Sequence, residues 1–313
     1  MEATAFYRNL IAGGYEGRAL QNEPMARHTT YGIGGPADLL VVVNTIAELQ
    51  ELVALARQHL LPAIVIGEGS NILVADAGVR GLVIVNRCSG LDMQAEGQLV
   101  AESGALLRQV ARWAVEQGWE GLEWASGVPG TIGGAVVGNA GAYSGCIADN
   151  LLWAEVMRAD GHSERTSNSA LVFGYRSSVL KRMPANTRPL VLRAAFGLKW
   201  GDTAALARKM QCYAKQRSER TPSGRSAGSV FKRTLQYPAG FLIEQCGLKG
   251  FQLGGAQVSL LHANFIINVE QASAADVAAL IELVQRRVWE THGQALEPEI
   301  EFIGDWEKIP ERL

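Results

Sequence analysis

The chain has 313 residues, 48% of them hydrophobic, with 29 Lys and Arg against 31 Asp and Glu and a net charge of -2. That balance excludes a nucleic-acid surface, which needs a strong basic field to displace counterions from phosphates. No apolar run approaches the roughly 20 residues of a membrane span. Length and composition predict a soluble chain of two domains or one large one. Residues 1–20 lack the apolar core and cleavage pattern of a signal peptide, so the expected location is the cytoplasm.

After a start without pattern, Thr29-Thr-Tyr-Gly-Ile-Gly-Gly-Pro36 leads into Ala37-Asp-Leu-Leu-Val-Val-Val43, an apolar run rich in β-branched residues that reads as a buried strand. Thr45-Ile-Ala-Glu48 has capping-box spacing, and Leu49, Leu52, Val53 and Ala56 share the following helical face. Pro62 ends that helix. Ala63-Ile-Val-Ile-Gly67 reads as a second buried strand running into Glu68-Gly-Ser-Asn71, a turn whose successive N–H groups can form an anion-binding nest. This is neither a Walker loop, which ends in Gly-Lys-Ser/Thr, nor a Rossmann fingerprint, because Gly32-Ile-Gly-Gly35 precedes a strand instead of following one. A plain tight turn is the alternative reading for each glycine cluster.

Leu82-Val-Ile-Val85 and Leu99-Val-Ala-Glu102 continue the β pattern, and residues 105–117 predict an amphipathic helix closed by Gly118. Ala125-Ser-Gly-Val-Pro-Gly-Thr-Ile-Gly-Gly-Ala135 and Gly138-Asn-Ala-Gly-Ala-Tyr-Ser-Gly145 carry almost no charge or bulk. Such a stretch predicts extended backbone lying against something flat and polar-edged. A strand over 152–158, a hairpin turn at Asp160-Gly161, a strand over 190–198 and a capped helix over 202–217 with a basic end follow. Between them, Phe173-Gly-Tyr-Arg-Ser177 sets Arg176 among apolar residues, where it needs an anionic partner; a salt-bridged structural arginine is the alternative.

Thr221-Pro-Ser-Gly-Arg-Ser226 is a linker by composition and marks a domain boundary. Ser226-Ala-Gly-Ser-Val-Phe-Lys232 then offers the Ser229 hydroxyl and the Lys232 ammonium on a glycine-bearing turn, although a serine beside glycine is more often an ordinary turn residue. Pro238 opens a short helix ended by Gly247, residues 264–269 read as a strand, and residues 273–291 form a helix with a Ser-x-x-Asp box and a stop at Gly293. Pro298-Glu-Ile-Glu-Phe-Ile303 alternates as a half-buried strand does, placing Glu299 and Glu301 on one face that read alone is a solvated one. Cys88, Cys146, Cys212 and Cys246 lie far apart, with no C-x-x-C pair, and are expected to be reduced, mostly buried thiols without structural zinc.

One further pattern is the order of short motifs: His28-Thr-Thr-Tyr-Gly-Ile-Gly-Gly, Gly67-Glu-Gly-Ser-Asn, Val128-Pro-Gly-Thr-Ile-Gly-Gly, Asn139-Ala-Gly-Ala-Tyr, Phe173-Gly-Tyr-Arg-Ser, Ala227-Gly-Ser-Val-Phe-Lys, Gly247-Leu-Lys-Gly, His262-Ala-Asn-Phe and Leu296-Glu-Pro-Glu. Over about residues 27 to 304 this set resembles the UDP-N-acetylenolpyruvoylglucosamine reductase family, the UDP-N-acetylmuramate dehydrogenases of peptidoglycan precursor synthesis, in the form without an extra tyrosine loop. The resemblance implies an α+β fold in which two subdomains of the vanillyl-alcohol-oxidase type, residues 20–86 and 87–220, hold FAD, and a third α/β domain, residues 221–313, carries the sugar nucleotide. It implies flavin contacts at Gly67, Gly69, Ser70, Asn71, Ser126, Gly127, Pro129, Gly130, Thr131, Gly133, Gly134 and Asn139, and catalytic roles for Arg176, Ser229 and Glu299. Tyr175, Lys232 and Arg233 are the expected substrate contacts, with no metal. FAD should be non-covalent, since Gly67-Glu-Gly-Ser-Asn71 holds no histidine for attachment; NADPH and a UDP-sugar are the expected partners, with no nucleic acid, membrane or obligatory protein partner.

The chain departs from the family twice. It reads Phe231-Lys-Arg-Thr234 where Phe-Lys-Asn-Pro is usual, and it has no tyrosine between Arg176 and Asp202, which leaves the diphosphate clamp open.

Overall fold

The computed structural model describes residues 2–184, 187–307 and 309. The chain forms two compact units, Met1–Leu20, Leu40–Glu68 and Leu82–Arg217 in the first, Gln21–Leu39, Gly69–Gly81 and Ser218–Leu313 in the second.

The strand Pro36–Val43 passes into the helix Ile46–Gln58, which buries Leu49, Leu52, Val53 and Ala56 as their spacing predicts. The Thr45 hydroxyl caps Glu48 N–H at 3.2 Å, while the Glu48 carboxylate turns back to accept Asn44 N–H at 2.8 Å. The strand Ala63–Ile66 does not pair with Pro36–Val43. Strand order runs Ala19–Pro24, Pro36–Val43, Val79–Asn86, Ala63–Ile66, and Val79–Asn86 lies parallel to its edge partner with Ala63 opposite Leu82. The first of these strands and the helix Glu2–Ala12 fall in the region without sequence pattern.

A sheet lying wholly in the first unit is antiparallel, in the order Ser163–Ser167, Leu151–Met157, Leu190–Gly197, Gln98–Glu102, Leu91–Met93. Its hairpin turns at the predicted Asp160-Gly161, where Arg158 N–H meets His162 O at 2.8 Å. One face packs Ala101, Ala154, Val156, Ala194 and Phe196 in a core with Leu107, Val110, Ala111 and Ala114 of the helix Leu107–Glu116. On the other face Glu155, Arg193 and Glu102 face one another in register, with Arg193 2.8 Å from Glu155.

Residues 125–145 are not the extended run expected from composition. Ile132–Gly138 is a helix that buries Ile132, Ala135 and Val136. Glycine serves it by close approach: a Cβ on Gly133 would stand 3.0 Å from that of Ser103, so packing overrides the low helix propensity of glycine. The helix expected over 202–217 continues to Arg220. Only Cys88 of the four thiols is buried; Cys212 is exposed on that last helix, and Cys146 and Cys246 are half-buried, which corrects the expectation of mostly buried thiols.

The second unit is built on the helix Ala274–His292, whose Val277, Leu280, Ile281, Val284 and Val288 enter one core with Leu242 and Ile243 of the helix Ala239–Gln245. Its capping box is complete, Ser273 Oγ accepting Asp276 N–H and Asp276 accepting Ser273 N–H, both at 3.0 Å. A small antiparallel sheet, Gln252–Leu253, Ala256–Val258 and Ile266–Asn268, packs beside it. The strand predicted over 298–303 is shorter, Glu301–Ile303, and pairs parallel with Ile72–Val74. Residues 298 and 299 leave that ladder because their backbone is taken elsewhere: Pro298 bridges to Phe231, and Glu299 N–H donates to Val230 O at 2.7 Å.

Candidate active site

In the first unit, the strand Ala63–Ile66 delivers Gly67 against the glycine-rich segment. A Cβ on Gly67 would collide with the side chain of buried Thr131, so only glycine permits this approach. Glu68 then clips the two motifs together. Its carboxylate pairs with Arg108 at 2.6 Å and accepts Gly130 N–H at 2.6 Å. Burial pushes this carboxyl up, but the hydrogen bonds from Arg108 and Gly130 and the Arg108 charge outweigh it and hold Glu68 below the usual carboxylate range.

In the same glycine-rich segment, the Ser126 hydroxyl and the Nε1 of Trp124, just before it in sequence, are buried and find no hydrogen-bond partner among the described residues. A buried polar group left so costs about 1–3 kcal/mol, and a ligand with polar edges recovers it. Above Gly138 nothing lies within 4 Å of a built Cβ, and Gly134 meets only Thr131 Oγ1 at 3.8 Å. Orphaned donors at 124 and 126 and an uncrowded glycine surface at 134 and 138 are features that a flat, polar-edged group such as a flavin would use. Pro129 lies in the same segment, and Gly127 is backed by Arg217, whose Cδ would stand 2.7 Å from a Cβ there.

Arg176 stands at the tip of a two-residue turn. Gly174 N–H meets Ser177 O at 2.9 Å and Ser177 N–H meets Gly174 O at 3.2 Å, which lifts out Tyr175, 57% exposed, and Arg176, half-buried. Arg176 has φ +51, a left-handed conformation that costs a residue with a Cβ about 1–2 kcal/mol. Strain of this kind persists where the surroundings over-determine the backbone, and it clusters at functional sites.

A second guanidinium reaches the same region from the helix Thr203–Arg220. Lys209, Tyr213 and Arg217 recur every four residues on one face: Lys209 lies 3.7 Å from buried Glu123, Tyr213 stacks on Tyr143 with ring centroids 4.6 Å apart, and Arg217 backs Gly127. Burial lowers the basicity of Arg217, the Arg176 charge adds to that, and Tyr143 opposes it. The Arg217 and Arg176 guanidiniums are thus near enough for their charges to repel. The basic end of this helix was visible in the sequence; the face it presents was not.

In the second unit, Ser229 pairs across to Phe265, and the next residue, Val230, accepts Glu299 N–H, which brings the backbones of Ser229 and Glu299 side by side. Asn264 fixes this arrangement. Its side chain takes Phe231 N–H at 3.0 Å and donates to Phe231 O at 2.8 Å, standing in for a strand neighbour. Asn71 adds a hydrogen bond from Nδ2 to Glu299 O at 3.2 Å, so this expected flavin contact also holds a catalytic candidate. Gly69 has φ +67, and a Cβ there would strike His28 O; half-buried Ser70 follows it. Lys232 pairs with Glu297 at 2.6 Å, a partner not foreseen, and Arg233 is exposed.

The expected residues therefore divide. Gly67, Ser126, Gly127, Pro129, Gly130, Thr131, Gly133, Gly134, Asn139, Tyr175 and Arg176 belong to the first unit, and Gly69, Ser70, Asn71, Ser229, Lys232, Arg233 and Glu299 to the second. Among the described residues no group of three His, Cys, Asp or Glu side chains is placed to hold a metal ion, and no helix is long and apolar enough to cross a membrane. A cavity of about 340 Å3 on the charged sheet face and another of about 600 Å3 beside Gly32–Gly35 are lined by none of the candidate residues.

Comparison with known proteins shows the family. Residues 37–167 match the family described as FAD binding domain, and residues 217–303 match that described as UDP-N-acetylenolpyruvoylglucosamine reductase, C-terminal domain. The chain is 43% identical over 298 residues to UDP-N-acetylenolpyruvoylglucosamine reductase of Heliobacterium modesticaldum, covering 94% of each, and 40% identical over 304 residues to that of Geobacillus kaustophilus, covering 97% of this chain and 99% of the relative. Among solved structures, UDP-N-acetylenolpyruvylglucosamine reductase from Thermus caldophilus superposes with a TM-score of 0.76 at 36% identity, over 91% of this chain and 98% of that one. An α+β chain with an FAD-binding domain, matched across nearly its whole length, belongs to the UDP-N-acetylenolpyruvoylglucosamine reductase family.

Proposed function

We propose that Arg176, Ser229 and Glu299 are the catalytic groups with which this chain performs the family reaction. The protein is an FAD-dependent oxidoreductase that uses NADPH to reduce the enolpyruvyl group of UDP-N-acetylglucosamine enolpyruvate to UDP-N-acetylmuramate, a step of peptidoglycan precursor synthesis. FAD, when bound, supplies two-electron storage between NADPH and the double bond. Gly67, Gly69, Ser70, Asn71 and the 126–134 segment are the residues to hold it, on a fold of the vanillyl-alcohol-oxidase type divided into the parts 20–86, 87–220 and 221–313.

Reduction of the double bond leaves negative charge on the carbon beside the substrate carboxylate. Arg176, pre-set by its left-handed turn, stabilises that charge without having to reorganise, and loss of one such donor costs about 10² to 10³ in rate. Ser229 delivers the proton that quenches the carbon. A hydroxyl is a poor acid in water, but an enolate carbon is a strong base, so position matters more than acidity. Glu299 polarises the same carboxylate, and Tyr175, Lys232 and Arg233 contact the sugar nucleotide. Both the substrate and the reductant are nucleotides of the cytoplasm, where we place the enzyme, acting without an obligatory protein partner.

The observation that supports pairing Ser229 with Glu299 is the 2.7 Å hydrogen bond from Glu299 N–H to Val230 O, which brings the backbones of these two candidate residues together within the second unit. Ser229→Ala tests it by anaerobic stopped flow. Flavin reduction by NADPH should stay within about twofold of wild type, while reoxidation by the enolpyruvyl sugar nucleotide should slow by about 10² or more, as for a lost general acid. Equal slowing of both half-reactions would give Ser229 a structural role.

A further inference from the structure

We infer that Asn139 is a positioning residue for Arg176, an assignment that rests on the catalytic reading of that arginine. Asn139 closes the helix Ile132–Gly138 with φ +45, and it is 7% exposed. Its amide is engaged at both ends. Nδ2 donates to Gly174 O at 2.9 Å, and Oδ1 accepts Ala148 N–H at 3.0 Å.

Gly174 is the residue on which the Arg176 turn closes. Its carbonyl also receives Ser177 N–H, so the Asn139 amide fixes the peptide plane that hinges the turn. The far side of the turn is tied to the same helix end: the hydroxyl of fully buried Ser178 donates to Val137 O at 2.6 Å. Two bonds from Val137 and Asn139 thus bracket Tyr175 and Arg176 from before and after. A φ of +51 at Arg176, the third residue of a turn whose second residue has negative φ, is what this turn type demands, strained for a residue with a Cβ, and the bracket holds that turn in place. The helix providing both anchors is the glycine-rich one to which the proposed function assigns the flavin, so the turn that aims the guanidinium is referenced to that segment. With both ends of its amide given to backbone, Asn139 belongs under the turn more than against the cofactor.

The test uses the FAD-loaded enzyme and two variants that tolerate positive φ. Asn139→Asp keeps shape and the bond from Ala148 but sets an acceptor against Gly174 O; Asn139→Gly removes the side chain. Reoxidation of reduced flavin by the enolpyruvyl sugar nucleotide should fall about 10- to 100-fold in both, because a misplacement of about 1 Å costs about 10² in rate. NADPH reduction and FAD affinity should stay within about threefold, and adding either variant to Arg176→Ala should slow reoxidation no further. A rise in the FAD dissociation constant with both half-reactions slowed together would overturn the inference in favour of a cofactor contact. So would unchanged reoxidation in variants beside a slow Arg176→Ala. If Arg176→Ala alone reoxidises at the wild-type rate, the catalytic reading of Arg176 fails, and this inference with it.

Discussion

Glu68→Gln removes the charge from the clip between the two glycine motifs while keeping its size. In the wild type the carboxylate takes three charge-assisted hydrogen bonds, a bidentate pair from Arg108 at 2.6 and 2.7 Å and one from Gly130 N–H at 2.6 Å. Such bonds contribute about 1.5–3 kcal/mol each when desolvated. The Arg108 side chain is 37% exposed and that of Glu68 18%, so screening reduces the ionic share toward about 1 kcal/mol. Glutamine still accepts from Gly130, though more weakly, which leaves a net loss of about 2 kcal/mol. If that loss falls on the turns that hold FAD, the dissociation constant rises by about 30-fold, since about 1.4 kcal/mol is tenfold. Titrating apoprotein with FAD by fluorescence reads it directly.

The pH dependence has a fixed sign. The folded carboxyl of Glu68 is held below its unfolded value, so its contribution is complete above the ordinary glutamate range near about 4.3 and fades as pH falls through the lower folded value. Variant and wild type should differ most in thermal stability at neutral pH and converge in acid. A difference that widens as pH falls, or an FAD affinity within about twofold of wild type at neutral pH, would refute the clip.

Two more expectations follow from the substrate and cofactor readings. Arg233 is exposed beside the Lys232–Glu297 pair, where the family has asparagine; Arg233→Asn should raise KM for the sugar nucleotide with little change in kcat, an effect that shrinks at high salt, and an unchanged KM at low ionic strength would leave this guanidinium without a role. Acid precipitation should release the yellow colour into the supernatant, because Gly67-Glu-Gly-Ser-Asn71 offers no histidine for attachment; colour retained in the pellet would show a covalent bond.

What the sequence disclosed was local. The Ser273–Asp276 box, the Leu107–Glu116 face and the Asp160-Gly161 turn each depend on residues within a few positions of one another. Pairings across long separations were not legible: Val79–Asn86 lies beside Ala63–Ile66, and Glu301–Ile303 lies beside Ile72–Val74, with nothing in either pattern naming the partner. The helix at Ile132–Gly138 was hidden by its composition, since three of its seven residues are glycines whose propensity argues against it. Side chains that act on backbone were hidden as well. Asn264 replaces a strand neighbour and Arg217 faces the glycine-rich segment, and only the fold brings either to its partner. The motif order named Arg176, but a positive φ at an arginine cannot be read from residue type.

The central claim is that reducing equivalents pass from NADPH through bound FAD to an enolpyruvyl sugar nucleotide, and an anaerobic visible spectrum of the purified protein tests it in one cuvette. The protein should be yellow, lose its flavin absorbance on stoichiometric NADPH, and regain it on addition of UDP-N-acetylglucosamine enolpyruvate. Absorbance that NADPH does not bleach, or that stays bleached when the enolpyruvyl substrate is added, would contradict the account.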